Sequence, residues 1–156
     1  MCFNDYMKQI FIEKEIILED LNIRGFVDLI ILEEDEKVYI YDIKTINNWS
    51  YKFKFSKKYK QENSTHQEMQ LATYGIGVKR EFGRVDGMFL SYYNKDSSII
   101  KEVEVDLDYI ITAKSFWQSK IEEHKKGLPP LQENVSPVKS WECNYCQYKD
   151  RCDKDN

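Results

Sequence analysis

The order of apolar segments predicts an α/β protein with a mixed central sheet flanked by helices. Three β-rich segments come before the first helical one, two more follow it, and a second helix closes the run. Each break between them carries turn or cap residues. Residues 10–18 (IFIEKEIIL) alternate apolar with charged side chains and read as a strand. Residues 23–32 (IRGFVDLIIL) read as a second and 37–45 (KVYIYDIKT) as a third. The acidic break Glu33-Glu34-Asp35-Glu36 has the length of a hairpin connection, so these three strands should form an antiparallel meander. Residues 47–60 show no clean period and read as a loop with room for a short helix.

The first long helix begins at Asn63-Ser64-Thr65, where Glu68 stands three residues after Thr65 as in a capping box, and it runs to about Glu81. Beyond Gly83, residues 85–93 (VDGMFLSYY) form a fourth strand. It is hairpinned through Asn94-Lys95-Asp96 to a fifth at 98–105 (SIIKEVEV). Asp106 or Asp108 caps a helix from Tyr109 to about Lys126, closed by Gly127 and Pro129-Pro130. A cysteine-rich tail follows at 139–156, and the whole of 1–156 reads as a single domain.

Composition narrows the class. Of the 156 residues, 42% are hydrophobic and 32% charged, an ordinary balance for a domain with its own core. A net charge of −4 argues against a wholly basic nucleic-acid binder and leaves room for a local basic groove. No apolar run approaches the roughly 20 residues of a membrane span. The start MCFNDYMKQIF lacks the pattern of a secretory signal. A cytoplasmic location without membrane contact is therefore expected, and four cysteines there point to metal or a cluster before disulfides.

Chemistry concentrates on the second and third strands. Asp28 interrupts an apolar strand, as does Asp42, and a carboxylate is costly to bury unless paired or bound to a metal. Asp42 and Lys44, two apart, project from one face while Ile43 faces the other, and the hairpin can set Asp28 across from them. Two carboxylates with bound water suit Mg²⁺ or Mn²⁺. Such an ion neutralises a scissile phosphate and acidifies a bound water, while a neighbouring lysine orients that water and stabilises developing charge. A strand-edge salt bridge on a solvated face accounts for the same triplet without function.

Two further segments carry signals. Cys143-x2-Cys146-x5-Cys152 is a metal-binding spacing, and Cys2 is the remaining cysteine available as a fourth ligand; structural Zn²⁺ and a 4Fe–4S cluster both satisfy it. Residues 49–60 (WSYKFKFSKKYK) set Lys52, Lys54, Lys57, Lys58 and Lys60 among aromatics that include Trp49. Lysines can bind phosphates and aromatic faces can stack on unpaired bases. A solvated loop whose aromatics cover the core explains the segment equally well. His66 and His124 read as ordinary polar helix residues.

Gly25-x-x-Asp28, Asp42-x-Lys44 and Gln70-x-x-x-Tyr74, in this order, resemble the motifs of the PD-(D/E)XK nucleases, whose fold is restriction-endonuclease-like. The RecB-like branch is the best match. The cysteine tail resembles its iron–sulfur subgroup, which includes the CRISPR-associated RecB-family exonucleases. The resemblance spans residues 13–152. It implies that Asp28 and Asp42 ligate Mg²⁺ or Mn²⁺, that the Ile43 main-chain carbonyl adds a ligand, and that Lys44 positions the attacking water. Gln70 and Tyr74 would orient Lys44 or the DNA backbone, and a 4Fe–4S cluster is preferred to Zn²⁺. The family's N-terminal helical region, which often supplies a further metal ligand, is short here. Glu15 is the favoured acidic substitute, and the short start suggests a minimal homologue or a fragment.

The expected activity is thus a metal-dependent DNase, an exonuclease acting on single-stranded ends. Its partners would be DNA with free ends and a helicase or a CRISPR adaptation integrase. The alternative is a catalytically impaired DNA-binding or scaffold module of the same fold with a structural metal site. A third class, a zinc-stabilised interaction domain, leaves the acids as sheet decoration.

Overall fold

Alternation of β-branched and aromatic residues places five strands in one sheet of order β1-β2-β3-β4-β5. In the computed structural model, which describes residues 8–55, 65–127 and 144–151, the elements are β1 (Gln9–Leu18), β2 (Ile23–Leu32), β3 (Val38–Ile46), α1 (Asn48–Phe55), α2 (Thr65–Phe82), β4 (Gly87–Asn94), β5 (Ile99–Val105) and α3 (Tyr109–Lys125). A short 3₁₀ turn, Glu19–Leu21, joins β1 to β2. The β1-β2-β3 meander is antiparallel, β4 pairs with β3 in parallel, and β5 returns antiparallel. The parallel pair follows from the connection: the segment between β3 and β4 contains two helices, long enough for a crossover.

By its contacts the chain divides into two compact units, Met1–Ser115 and Phe116–Asn156. In the first, α2 lies on one face of the sheet. Ile16, Leu18, Val27, Ile30, Val38, Ile40, Met88 and Leu90 are buried there with Leu71, Ala72, Ile76 and Val78 of the helix. Close approach needs small residues. A Cβ on Gly77 would stand 2.1 Å from Ile16 Cγ2, so the helix rests on β1 only because that atom is missing. Arg80 grips Asp20 through two hydrogen bonds, of 2.7 and 2.9 Å, tying the 3₁₀ turn to α2. The opposite sheet face carries exposed apolar residues, among them Ile12, Ile17, Phe26 and Ile43.

The pleat breaks at one place. The β1–β2 ladder runs from Gln9↔Leu32 to Leu18↔Ile23 with a gap where Glu13 faces Asp28. Glu13 there adopts a φ of 48°. Inward-facing positions change phase across this gap. Phe11 and Lys14 both reach Phe82 of α2, and on β2 both Ile30 and Val27 are fully buried.

In the second unit, Phe116 and Trp117 pack edge to face at 5.1 Å, and Lys120 pairs with Glu123 at 2.9 Å. The Cys146 and Tyr148 carbonyls accept hydrogen bonds from the Lys149 and Arg151 amides, forming a turn. No helix among the described residues is long and apolar enough to cross a membrane.

Candidate active site

The site lies on the α2 side of the sheet, where β2 and β3 part. Their ladder ends at Leu29↔Tyr41, so Asp28 and Asp42 are the first pair beyond it. With no strand partner there, the Ile43 amide donates instead to Asp28 Oδ2 at 2.6 Å, which fixes that carboxylate beside the third strand. Asp42, on the face of Val38 and Ile40, is 3% exposed. Ile43 points to the other face and is 50% exposed, as period-two alternation requires.

Lys44 stands 2.6 Å from Asp42 Oδ2 as an ion pair. The same ammonium also donates to Gln70 Oε1 at 2.8 Å. The Gln70 amide in turn donates to the Tyr74 hydroxyl at 3.2 Å. Gln70 and Tyr74 lie one helical turn apart on α2, so one face of that helix holds the lysine in place. Gly25 makes room for this: a Cβ there would stand 2.8 Å from Tyr74 Cε1.

Asp42 Oδ2 is buried and receives no aligned hydrogen bond. Burial pushes its carboxyl above the usual range, contact with Lys44 pulls it back, and the charge on Asp28 adds to the rise. A buried carboxylate oxygen whose one close polar contact is a lysine ammonium, next to a second carboxylate, is a donor set for a hard divalent cation. Among the described residues no third His, Cys, Asp or Glu joins them. That suits Mg²⁺, which is commonly held by one or two carboxylates and keeps several waters.

Residues 4–153 match the sequence profile of the PD-(D/E)XK nuclease superfamily. The chain belongs to that superfamily. Its mixed five-stranded sheet with flanking helices is the PD-(D/E)XK fold. Among solved structures, it is similar to a "Putative exonuclease" from Eubacterium rectale, with 17% identity, 94% of this chain and 52% of that one covered, and a TM-score of 0.51. It is also similar to SSO0001, with 22% identity, 92% and 60% coverage, and a TM-score of 0.48. The chain thus spans a little over half the length of these two proteins, and at such identities the likeness is one of fold. No curated protein matches.

Other expected site residues of this PD-(D/E)XK chain fall differently. Glu15 is not brought to the acidic pair. It lies opposite Phe26, which is 51% exposed on the far face, and its carboxylate is held by Arg24. The segment read as a loop with room for a short helix contains one, α1, where exposed Trp49 stacks on Phe53 at 5.6 Å. Lys52 is exposed on that helix, and Lys54 Nζ sits 4.6 Å from the Tyr92 ring centre. Lys57, Lys58 and Lys60 lie outside the described residues, as do Cys2, Cys143 and Cys152. Among the described residues Cys146 has no disulfide partner, and it is exposed.

Sequence reading missed Tyr92. It is buried beside Lys44 in register, and its hydroxyl donates to Gln67 of α2. It missed Lys101 as well, although the strand IIKEVEV puts that lysine on the opposite face from both of its glutamates.

Proposed function

We propose that the chain is a divalent-metal-dependent deoxyribonuclease of the RecB-like branch, an exonuclease working on single-stranded DNA ends. The observation that carries this reading is Asp42 Oδ2, buried beside Asp28 with the Lys44 ion pair as its close polar contact. Asp28, Asp42 and the Ile43 carbonyl would hold Mg²⁺ or Mn²⁺. When bound, the ion neutralises the scissile phosphate and lowers the pKa of a coordinated water.

The chain's own groups do the rest. Lys44 presents an ammonium at the edge of the acidic pair, where it orients the attacking water and stabilises charge on the phosphate oxygens. Gln70 fixes the direction of that ammonium, and Tyr74 fixes Gln70. Burial around Asp42 keeps bulk water away and strengthens each of these contacts. On α1, Trp49 offers a stacking face for an unpaired base and Lys52 a phosphate contact.

A cysteine site would be separate. Cys143, Cys146 and Cys152, with Cys2, have the ligand types for a 4Fe–4S cluster or for Zn²⁺ in a structural role.

The test is cleavage of end-labelled single- and double-stranded oligodeoxynucleotides with Mn²⁺, against a chelator control. Asp42→Ala and Lys44→Ala should each reduce cleavage by about 10²-fold or more. Undiminished cleavage in either variant overturns the assigned site. Salt-sensitive binding of DNA by the wild type without any cleavage would favour the non-catalytic module.

A further inference from the structure

We propose that the DNA strand leaves the acidic pair across the sheet toward β5, with Lys101 as a backbone phosphate ligand and Lys54 beside it. This rests on the nuclease reading and adds the path of the substrate. Lys44, Tyr92 and Lys101 are aligned in register on β3, β4 and β5, so their side chains share the active-site face. Two strand spacings put the Lys101 backbone about 10 Å from that of Lys44. Between them Tyr92 is buried, with Phe55 of α1 packed edge-on to its ring at 5.4 Å.

The two lysines are mounted on this aromatic pair. Lys54 Nζ lies 4.6 Å from the Tyr92 centroid and Lys101 Nζ 4.3 Å from that of Phe55. A ring face holds an ammonium by its quadrupole and consumes no hydrogen-bond acceptor, so the Lys101 ammonium keeps its charge and its donors for a phosphate. Several other lysines are neutralised by acids: Lys8 pairs with Glu33, Lys14 with Glu81, Lys37 with Asp35, Lys120 with Glu123 and Lys125 with Glu122. Lys101 makes no such ion pair among the described residues. The acids of its own strand, Glu102 and Glu104, pair with Ser91 and Phe89 and face the other side of the sheet. A chain of net charge −4 therefore presents a cationic ledge leading away from its cleavage site.

A purely structural lysine, anchoring α1 through Phe55, predicts no change in electrolyte dependence. The experiment measures anisotropy of a fluorescent single-stranded oligodeoxynucleotide in chelator, titrated over salt. Lys101→Met keeps the aliphatic stem and should weaken binding several-fold at low salt, lowering the slope of log K against log salt by about 0.7. Lys101→Arg should keep both values, and Lys79→Met, on the exposed end of α2, should match the wild type. An unchanged slope in Lys101→Met, or an equal loss in Lys79→Met, overturns the proposed path. If the wild type cleaves while Lys101→Met binds normally, only the path falls. A Lys101-dependent slope without cleavage sustains the path and removes the nuclease, and a protein that neither binds nor cleaves removes both.

Discussion

At Asp42 the requirements of folding would oppose those of the proposed cation site. Burial holds its carboxyl above the ordinary range despite the neighbouring lysine. The folded chain therefore binds this proton more tightly than the unfolded chain. The group's contribution to stability is present below its unfolded pKa and lost as pH rises through the folded value. Replacing it with a neutral isostere should relieve that loss. Asp42→Asn is expected to raise the metal-free Tm at neutral pH by a few degrees, the shift that about 1 kcal/mol produces. The gain should shrink as pH falls, and the Tm increase that Mn²⁺ gives the wild type should vanish. Calorimetry with and without Mn²⁺ at several pH values checks all three, and a metal-free variant less stable than wild type contradicts the account. Gly25 invites a second substitution. Gly25→Ala pushes a methyl group into Tyr74, which releases Gln70 and Lys44. Cleavage should fall by up to about 10²-fold, as for a misplacement of about 1 Å. In a Tyr74→Ala background the same change should cost nothing further, because the ring it displaces is gone. The Asp-x-Lys and Gln-x-x-x-Tyr pairings were legible because their spacing fixes a shared face. Glu15 was not. Regular alternation would set Phe26, and Glu15 opposite it, on the face of Asp28, but the phase change at Glu13 and Asp28 turns both away.

Strand and helix limits were readable where one face is apolar and the other polar, as in β2, whose range Ile23–Leu32 is that expected from its run of apolar residues. In α1 that contrast fails. Trp49 stacks on Phe53 and Tyr51 packs tilted against Phe55, two aromatic pairs at helical spacing that spread apolar side chains around the helix. Its start was nonetheless encoded. Asn47 Oδ1 accepts from the Ser50 amide at 2.8 Å, an N-cap, and Asp96 accepts from the Asn48 amide at 2.6 Å. Asn47→Ala should cost about 1 kcal/mol by chemical denaturation. The packing of α2 was hidden for a different reason, since a glycine inside a helix lowers its propensity whether or not its missing Cβ is a contact. At Gly77 the missing Cβ is a contact requirement. Gly77→Ala gains helix propensity of roughly 1 kcal/mol but forces Ile16 aside, and overpacking of about 1–3 kcal/mol should dominate. Combining it with Ile16→Ala opens the space, so the double variant should be less destabilised than the sum of the singles. Additive losses would mean that the two residues do not meet.

Across the whole chain, the mixed sheet was legible from the element order, and the parallel β3–β4 pair follows from the crossover through α1 and α2. The cysteine tail is legible only as ligand spacing, and spacing does not distinguish zinc from iron. Thiolate binding does separate this tail from the oxygen site in one respect. Cysteine ligands must be deprotonated and favour soft or borderline metals, whereas Asp28 and Asp42 favour hard cations. The two metals should therefore be removable independently. Protein purified without chelator should carry bound iron or zinc, and Cys146→Ser should lower that content and the Tm together, since a structural metal contributes to folding directly. Asp42→Ala should leave the content unchanged while abolishing Mn²⁺ binding. Brown protein absorbing near ~400 nm identifies the cluster, and colourless protein with stoichiometric zinc identifies the ion. Elemental analysis of the three proteins side by side decides the matter. Wild-type protein that carries neither iron nor zinc when purified without chelator, with the same Tm as Cys146→Ser, would remove the cysteine site, yet leave the acidic pair standing, because the two donor sets share no ligand.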